Sequence, residues 1–334
     1  MKSEPHIAVV IPCFNVERHI VDVIRTIPQW VATIVVVDDK SPDDFVAKVR
    51  ALGEPRVVLI RHEHNQGVGG AMVTGYQECL RLGADIVVKM DGDGQMDPAY
   101  LAALIRPLLK READFTKGNR WHDPRQLETM PAIRRHGSVA LSFLTKMASG
   151  YWRLFDPCNG YTAIRSSVLR LLPLDRLARN FFFETSMLVE LNVLGAVIRD
   201  VPIPARYGFE KSTMRISRVL LDFPLALVRA WKYRIWQRYF VRDFGAISLC
   251  LLGGALLTGW GLGFGGWRWL QSLLTGVPTT AGTVMLGAVP FLMGFQLLLQ
   301  AAHLEVATEP IRPLSQHDAE DDDSLPRAVH QRAA

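Results

Sequence analysis

The first half of the chain alternates short apolar runs with stretches in which apolar residues recur at helical spacing. The apolar runs predict β-strands at 7–11, 34–37, 57–60 and 86–90. The helical stretches lie at 16–26, 45–52, 68–82 and 98–109. Alternation at this spacing is typical of βαβ units, so we expect an α/β fold with a mostly parallel sheet. In such sheets ligands bind beyond the carboxyl ends of the strands.

The pattern is more mixed between residues 113 and 204. Two further runs, 160–165 and 197–203, predict strands, and 183–194 predicts a helix. We expect this part of the chain to complete the same sheet. The first domain is therefore predicted to cover residues 1–215.

The character of the chain changes after residue 215. Bulky apolar residues alternate with arginine and lysine over 219–240, and four aromatic residues accompany them: Trp231, Tyr233, Trp236 and Tyr239. This composition suits a helix at the level of lipid headgroups. We therefore assign residues 216–243 to amphipathic juxtamembrane helices.

Two stretches without charge follow. No charged residue occurs from 244 to 267, and the second stretch is most apolar over 283–302. Each is long enough to cross a bilayer, so we predict a transmembrane hairpin over 244–303, with spans at about 244–266 and 283–302. Two buried core helices are the alternative interpretation. Gly259 and Gly263 have the spacing of a helix-packing face.

The formal net charge of +5 is unevenly distributed. Five basic residues come just before the first predicted span: Arg229, Lys232, Arg234, Arg238 and Arg242. A basic segment beside an apolar one indicates an anionic membrane surface or a phosphate ligand. No nucleic-acid-binding motif accompanies it, so we predict no nucleic-acid partner.

Charge and cysteine usage also indicate the compartment. The positive-inside rule places the first domain in the cytoplasm, and the inner membrane of a bacterium is the expected location. The polar tail, 304–334, would return to the same side and is predicted to be disordered. The four cysteines form no C-x-x-C pair, which argues against a zinc framework or a disulfide scaffold and favours a reducing compartment.

The segment Asp91-Gly92-Asp93-Gly94-Gln95 follows the fourth predicted strand. Carboxylate oxygens at a strand end suit Mg²⁺ or Mn²⁺, which would also bind substrate phosphates. We therefore predict a metal held by Asp91, Asp93 and Gln95. The alternative is an ordinary polar turn, since Asp and Gly are favoured there.

Three more segments lie near predicted strand ends or helix starts. Asp38 and Asp39 end the second strand, where one carboxylate could accept from a nucleobase N–H and the other could cap the next helix. The loop after the first strand begins at Pro12, which is expected to fix a turn. A glycine-rich segment that includes Gly67 and Ala71 would let a helix start close to a bound diphosphate or sugar.

These four segments, in this order, resemble the family 2 glycosyltransferases, which have a GT-A fold. The resemblance covers residues 7–97 and implies a nucleotide-diphosphate-sugar donor, a metal at Asp91 and Asp93, and inversion at the anomeric carbon. It implies a donor site formed by these residues: Pro12, Phe14, Asn15, Glu17, Asp38, Asp39, Gly67, Ala71, Asp91 and Gln95.

Later segments resemble the polyprenyl-phosphate glycosyltransferases, the group that includes dolichyl-phosphate mannosyltransferase and its two-span bacterial relatives. The matching segments are Gly118-Asn119-Arg120, Arg134-Arg135, Asp156–Tyr161, Phe183-Glu184 and Pro204–Ser212. The resemblance implies a polyprenyl-phosphate acceptor. Its phosphate would be held by these residues: Arg120, Arg134, Arg135, Asn159, Arg206, Lys211 and Ser212.

A phosphate acceptor is already anionic at neutral pH, so it needs no strong general base. We expect positioning and charge stabilisation to dominate, with Asp93, Glu184 and Asp156 as catalytic candidates. Glu184 could act as a base, orient the acceptor or only stabilise a helix N-terminus.

Two other functions stay open from the sequence. One is a transferase that extends a glycan at a sugar hydroxyl, and the other is a membrane sensor or scaffold without turnover. The glycine-rich span and the resemblance predict a homo-oligomer, either a dimer or a tetramer.

Overall fold

A computed structural model of the chain describes residues 4–122, 132–204 and 216–316. The chain forms two compact units. The sheet unit runs through Trp231 and takes up the chain again from Pro310. The hairpin unit is Lys232–Glu309.

Within the described part of the chain, seven strands form one sheet in the order β3-β2-β1-β4-β6-β5-β7. The strands are β1 Ile7–Cys13, β2 Thr33–Asp38, β3 Val57–Arg61, β4 Ile86–Lys89, β5 Phe115–Asn119, β6 Thr162–Arg165 and β7 Ile198–Pro202. β6 pairs antiparallel with β4 and β5, and the other pairings are parallel. The predicted mostly parallel sheet is confirmed.

Helices cover both faces of this sheet or continue the chain beyond it. They are α1 Ile20–Thr26, α2 Phe45–Ala51, α3 Gly67–Arg81, α4 Leu101–Leu109, α5 Ala132–Ser149, α6 Ser166–Leu169, α7 Phe183–Leu194, α8 Ile216–Trp236, α9 Ala246–Thr275 and α10 Ala281–Ala307. A π-helical segment, Gln237–Arg242, follows α8. β5 and α5 were not predicted from the sequence.

The central strands are apolar on both sides because each side contacts a separate core. In β1, Val9 and Ile11 belong to one buried cluster, whereas Ala8 and Val10 belong to the other. Two-sided burial is the reason why these strands read as continuous apolar runs. The carboxyl ends of β1, β2 and β4 meet at one edge of the sheet, which brings the loops after them together.

Pro12 lies inside β1 and not in a turn, which corrects the sequence prediction. β4 ends at Lys89, which is paired with Val10. Pro12 therefore lies beyond the end of β4, where its missing amide hydrogen leaves no bond of that ladder unmade.

The chain returns to the sheet unit after α10. The backbone N–H groups of Leu314 and Ser315 donate to the carboxylate of Asp114, at 2.9 and 3.3 Å. Asp114 is fully buried. Residues 304–316 are thus ordered, in contrast to the predicted disordered tail, and 317–334 lie outside the described residues.

Two helices of the hairpin unit are long and apolar enough, among the described residues, to cross a membrane. They are α9 and α10, in which an 18-residue stretch has a mean hydropathy of 1.7 and 1.8, respectively. They begin and end near the predicted spans, although α9 continues past Arg268 to Thr275.

The two helices pack through small residues. An added Cβ on Gly261 would lie 2.7 Å from the carbonyl oxygen of Gly287, and one on Gly294 would lie closer still to Thr258. Gly259 and Gly263 have nothing within 4 Å of such a Cβ, so they take no part in the packing of α9 on α10. The contact uses Gly254 and Gly261 on α9, which are seven residues apart, and Gly287 and Gly294 on α10, with the same spacing.

Gly261→Val is expected to destabilise the hairpin by about 1–3 kcal/mol, the usual cost of overpacking. The new side chain would collide with the Cβ of Phe291, 2.5 Å from the added Cβ. Gly263→Val is the matched control, because it adds the same side chain into open space. Thermal unfolding of the full chain in detergent measures the difference. Equal melting temperatures for the two variants would contradict this packing.

Candidate active site

The turn after β4 carries the two acids of the predicted metal site. Asp93 Oδ1 accepts a hydrogen bond from Gln95 N at 2.9 Å, and Gly94 has a φ of +79°. A left-handed residue at this point favours glycine. The polar-turn interpretation is therefore correct as a description of the backbone, and it leaves the carboxylates facing a cavity.

That cavity has a volume of about 310 Å³ and lies at the carboxyl edge of the sheet. Its polar lining includes Asp91, Asp93, Gln95, Arg120, Asn159 and Glu184. Apolar side chains complete the wall: Met96, Leu141, Phe181, Ile203, Pro204 and Phe223. Residues predicted for the donor and for the acceptor thus share one cavity.

Lys89 pairs with two of these acids, and this role was not predicted from its sequence position. Its Nζ lies 2.8 Å from Asp91 Oδ1 and 3.3 Å from Glu184 Oε1, and its side chain is 2% exposed. Burial disfavours the charged ammonium, but the carboxylates of Asp91 and Glu184 outweigh it and raise the pKa of Lys89. The site therefore contains a fixed positive charge. The signal in the sequence was a lysine as the last residue of an apolar strand.

Gly160 makes room for this lysine. A Cβ at residue 160 would lie 2.5 Å from Lys89 Nζ and 3.2 Å from Asp91 Oδ2. The absence of a side chain therefore lets Lys89 reach both carboxylates. Close approach, and not a special backbone angle, explains glycine here.

Arg120 is held by Asp156. Its Nε lies 2.7 Å from Asp156 Oδ2, and its Nη2 lies 3.2 Å from Asp156 Oδ1. Such two-point pairing fixes the plane of a guanidinium. Because Asp156 is fully buried and both its oxygens accept from Arg120, its carboxylate is not placed to act as a base. The geometry therefore favours a positioning role over the predicted catalytic one.

Asn159 lines the cavity, and the buried Lys117 contacts it. Asn159 donates from Nδ2 to the carbonyl oxygen of Gly118 at 2.7 Å and accepts from Tyr161 N at 3.0 Å. Both polar atoms of its side chain therefore form hydrogen bonds with the backbone, in contrast to the predicted contact with phosphate. The buried Lys117 ammonium donates to the carbonyl oxygen of Asn159. Burial lowers the pKa of Lys117, against the opposing effect of the Glu184 and Asp156 carboxylates.

Asp200 is a largely buried acid close to Lys117 and Asp156. Burial raises its pKa to about 6, although the hydrogen bond from Phe155 N at 2.7 Å and the charge of Lys117 oppose the shift. This value lies above the usual unfolded-state pKa of about 3.9. Folding therefore favours the protonated carboxyl. The resulting stabilisation is complete at pH values below about 4 and is lost as the pH rises through about 6.

Asp200→Asn is expected to gain stability relative to the wild type by about 1–2 kcal/mol between pH 5 and pH 7, after allowance for solvent screening. The amide keeps an acceptor for Phe155 N and carries no charge. Melting temperatures of the full chain over this pH range measure the gain. A constant difference between variant and wild type would contradict the shifted pKa.

Asp38 and Asp39 end β2 as predicted, but both carboxylates contact the protein itself. Asp38 Oδ1 accepts from Ser41 N at 2.8 Å, and its Oδ2 lies 3.0 Å from Arg61 Nε. Asp39 accepts from His62 Nδ1, from Gln66 N at 2.7 Å and from Gly67 N at 2.8 Å. Asp39 is therefore the anion at the start of α3.

The glycine-rich segment packs against protein and not against an open site. Gly69 N donates to the carbonyl oxygen of Arg179 at 2.8 Å, and an added Cβ on Gly67 would lie 2.4 Å from the same oxygen. Ala71 is fully buried in a core cluster, so the predicted contact of Ala71 with a donor is wrong. The small residues serve the packing of α3 on the segment before α7.

The loop after β1 is tied to the loop after β2. Asn15 adopts a left-handed φ of +59° and donates from its N–H to Ser41 Oγ at 3.0 Å. Glu17 pairs with Lys48 at 2.9 Å on the surface, whereas Phe14 is 53% exposed near the sheet edge. The predicted roles of Phe14, Asn15 and Glu17 in donor binding stay predictions.

Several predicted acceptor residues lie outside the described part of the structure. Arg206, Lys211 and Ser212 belong to the segment 205–215. Arg134 and Arg135 are within α5, but their side chains are not among those described. Their predicted contacts with phosphate stay predictions.

The fit of a divalent metal can be judged from the donor atoms. Among the described residues, no group of three or more His, Cys, Asp or Glu side chains is arranged to hold a metal alone. Asp91, Asp93 and Gln95 face the same cavity and supply oxygen ligands. Mg²⁺ is commonly bound by one or two carboxylates together with substrate phosphates and water, so these residues fit such an ion.

Comparisons with known proteins agree with this architecture. The family model described as glycosyl transferase family 2 matches residues 8–172. A UDP-N-acetylglucosamine–dolichyl-phosphate N-acetylglucosaminyltransferase of Methanococcus voltae is 31% identical over 236 residues, which cover 66% of this chain and 92% of that protein. An undecaprenyl-phosphate mannosyltransferase of Micrococcus luteus is 33% identical over 174 residues, which cover 51% of this chain and 70% of that protein.

The fold is also found among solved structures. The glucosyl-3-phosphoglycerate synthase of Mycobacterium tuberculosis, crystallised with Mn²⁺, UDP and phosphoglyceric acid, has a TM-score of 0.51 and 23% identity. The match covers 73% of this chain and 82% of that one. At this identity the likeness supports the predicted GT-A fold alone. Taken together with the family model and the relatives, the sheet and its carboxyl-edge cavity identify the chain as a member of glycosyltransferase family 2.

Proposed function

We propose that the chain transfers one sugar, with inversion, from a nucleotide-diphosphate sugar to a polyprenyl phosphate at the cytoplasmic face of a membrane. The observation that carries the proposal is the cavity in which Asp91 and Asp93 lie together with Arg120 and Glu184. Carboxylates suit a metal–diphosphate group, and a guanidinium suits a phosphate. One cavity therefore offers complementary charge to both substrates.

The names of the relatives support a polyprenyl phosphate as the acceptor. The Methanococcus voltae protein is named for dolichyl phosphate, the Micrococcus luteus protein for undecaprenyl phosphate, and a Mycolicibacterium smegmatis relative is a polyprenol monophosphomannose synthase. The last is 28% identical over 209 residues. The first protein is named for N-acetylglucosamine and the other two for mannose, so the sugar of this chain is left open in the proposal.

On the donor side, we propose that Asp91, Asp93 and Gln95 hold Mg²⁺ or Mn²⁺ and that Asp38 or Asp39 lies near the nucleobase. A bound metal would offset the negative charge on the departing diphosphate. Gln95 N supports Asp93 in the turn, and Lys89 fixes the position of Asp91. Both contacts preorganise the carboxylates before the substrate arrives.

On the acceptor side, we propose that Arg120 contacts the lipid phosphate and that Asp156 orients it. Glu184 lies in the same cavity and is paired with Lys89 at 3.3 Å. An anionic phosphate oxygen attacks without losing a proton, so Glu184 positions the acceptor in this proposal and does not act as a base. Arg206, Lys211 and Ser212 extend the predicted phosphate site.

Glu184→Gln separates this reaction from transfer to a sugar hydroxyl. A hydroxyl acceptor needs a base, whose loss costs about 10²–10⁴ in turnover. With a phosphate acceptor we expect a loss of less than about tenfold, because the amide can still orient the acceptor. The rate of single-turnover transfer at saturating donor measures this loss. A loss of more than a hundredfold with unchanged donor binding would favour the hydroxyl acceptor.

We further propose that α9 and α10 span the membrane and that the sheet unit lies on the cytoplasmic side. The exposed cations Lys232 and Arg242 lie before α9, which accords with the positive-inside rule. Arg234 differs from them, because it is fully buried and paired with Glu305 of α10. A dimer or tetramer stays a prediction.

The proposed reaction is tested with the purified full chain, Mn²⁺ and a panel of UDP- and GDP-sugars. Undecaprenyl phosphate is the acceptor, and undecaprenol, which lacks the phosphate, is the matched control. We expect one donor to give a glycolipid and free nucleoside diphosphate with the phosphate only. Absence of glycolipid with every donor, or equal transfer to undecaprenol, would contradict the proposal.

A further inference from the structure

The helix α5 has its polar and apolar faces exchanged relative to a helix on a soluble domain. Among its described side chains, the buried ones are Ser142, Thr145 and Ser149, at most 5% exposed, and the small Ala148 at 1%. Its outward face carries Val139 and Phe143, each 56% exposed, with Leu144 beside them at 36%. Helices on soluble domains direct their apolar residues to the core and their polar residues to water. The exchanged pattern indicates an apolar environment outside α5.

The apolar surface continues into the loop after α5. The side chain of Phe155 is 61% exposed, and its carbonyl oxygen accepts from Ser142 Oγ at 3.3 Å. Trp152 packs edge-on against Phe143, with ring centroids 6.1 Å apart. We call Val139, Phe143, Leu144 and Phe155 the α5 face. A group of exposed apolar side chains of this kind indicates an interaction surface.

Apolar side chains also occur at the candidate active site. Leu141 of α5 lines the cavity, and so does Phe181, which is 58% exposed. Phe223 of α8 lines it as well and packs against Phe182, with centroids 5.2 Å apart. One exposed aromatic side chain, Phe181, therefore borders a cavity whose interior carries charges.

We infer that the α5 face is a membrane contact surface, which lies at the boundary between lipid headgroups and acyl chains. Aromatic and aliphatic side chains are favoured at this depth. The inference rests on the proposed membrane attachment, and it does not depend on which sugar or lipid phosphate reacts.

The charge within the patch favours a bilayer over a second protein surface. The ammonium of Lys146 lies 5.3 Å from the centroid of the Phe155 ring. At a membrane, a lysine extends its ammonium to anionic headgroups while its stem contacts apolar surface. In an interface between two proteins the same ammonium would need an acidic partner to offset its burial. The proposed membrane spans belong to the same chain, so a bilayer is the partner surface that the proposed function already supplies.

Photo-crosslinking of the full chain tests the contact without relying on activity. The photoreactive amino acid p-benzoylphenylalanine replaces Phe143, and the protein is reconstituted in vesicles of phosphatidylethanolamine and phosphatidylglycerol. Leu171 and Leu256, 57% and 73% exposed, are the matched positions on the sheet unit and on α9. We expect lipid adducts at residues 143 and 256 and none at residue 171.

Each other outcome of the crosslinking experiment counts against the inference. A crosslink from residue 143 to a second copy, or to another segment of the same chain, identifies a different occupant. Lipid adducts at 256 without any at 143 would overturn the α5 contact while membrane attachment stands. Absence of lipid adducts at both positions would overturn the attachment as well.

A second measurement uses the double variant Phe143→Ser, Leu144→Ser. We expect its KM for a vesicle-embedded acceptor to rise about tenfold, equivalent to about 1.4 kcal/mol, with unchanged kcat and donor KM. Leu171→Ser is the control. An unchanged acceptor KM in the double variant would contradict a membrane contact, and a change confined to kcat would indicate a role inside the cavity.

Discussion

Asp93→Asn is expected to lower turnover by roughly 10²–10³, the range observed when one preorganised electrostatic group is removed from an active site. The substitution keeps the shape of the side chain. The amide oxygen can still accept from Gln95 N, as Asp93 Oδ1 does at 2.9 Å. The turn should therefore survive, while one of the two carboxylates proposed to hold the metal loses its charge. Release of nucleoside diphosphate measures turnover.

The affinity for Mn²⁺ is a second measurement for this variant. Electron paramagnetic resonance counts free Mn²⁺ without requiring turnover, and we expect weaker binding with an unchanged melting temperature. Asp22→Asn, on the exposed face of α1, is the matched control. Wild-type turnover and Mn²⁺ affinity in Asp93→Asn would remove Asp93 from the proposed metal site.

The fold was predictable where a single physical factor determined the pattern. β1, β2 and β4 are buried on both faces, so their apolar runs stand out in the sequence. β5 was missed because its inward positions include Thr116 and Lys117, whose polarity is compensated by contacts from distant segments. α5 was missed because its buried face is polar and its apolar face is exposed. Both cases depend on surroundings that a local pattern does not encode.

The candidate site was predictable where its residues are adjacent in the chain. Asp91 and Asp93 were found because they follow a strand directly. Lys89 was missed because its role depends on Glu184, which α7 brings to it from far along the sequence. Local chemistry can therefore suggest a metal site, whereas a charge network between elements requires the folded structure.

The glycine-rich segment shows the opposite error. Small residues before a helix were interpreted as space for a ligand, but Gly69 and Gly75 leave space for the backbone near Arg179 and for the side chain of Val10. A glycine lets another part of the protein approach closely, and it lets a ligand approach in the same way. The sequence alone does not distinguish the two.

Lys89→Met is expected to reduce turnover by roughly 10²–10³, because the carboxylates of Asp91 and Glu184 lose the charge that fixes them. Methionine has a similar length, so it fills the space that Gly160 leaves open. The expected effect on metal binding is opposite to that of Asp93→Asn. Removal of a cation 2.8 Å from Asp91 should strengthen Mn²⁺ binding while transfer falls.

The thermal stability of the Lys89 variant provides an independent test. Removal of one partner from a fully buried ion pair costs about 3–5 kcal/mol, because the other charge is left uncompensated. The cost here should be smaller, because Asp91 and Glu184 are 35% and 17% exposed and water screens them. A bound Mn²⁺ can replace the lost positive charge, so the metal should raise the melting temperature more in Lys89→Met than in the wild type. Lys48→Met is the matched control, since Lys48 also pairs with a glutamate, Glu17. Lys48 is 51% exposed, and such a surface pair contributes about 0–1 kcal/mol. An equal response to Mn²⁺ in Lys89→Met and the wild type would show that Lys89 does not share the charge of the metal site.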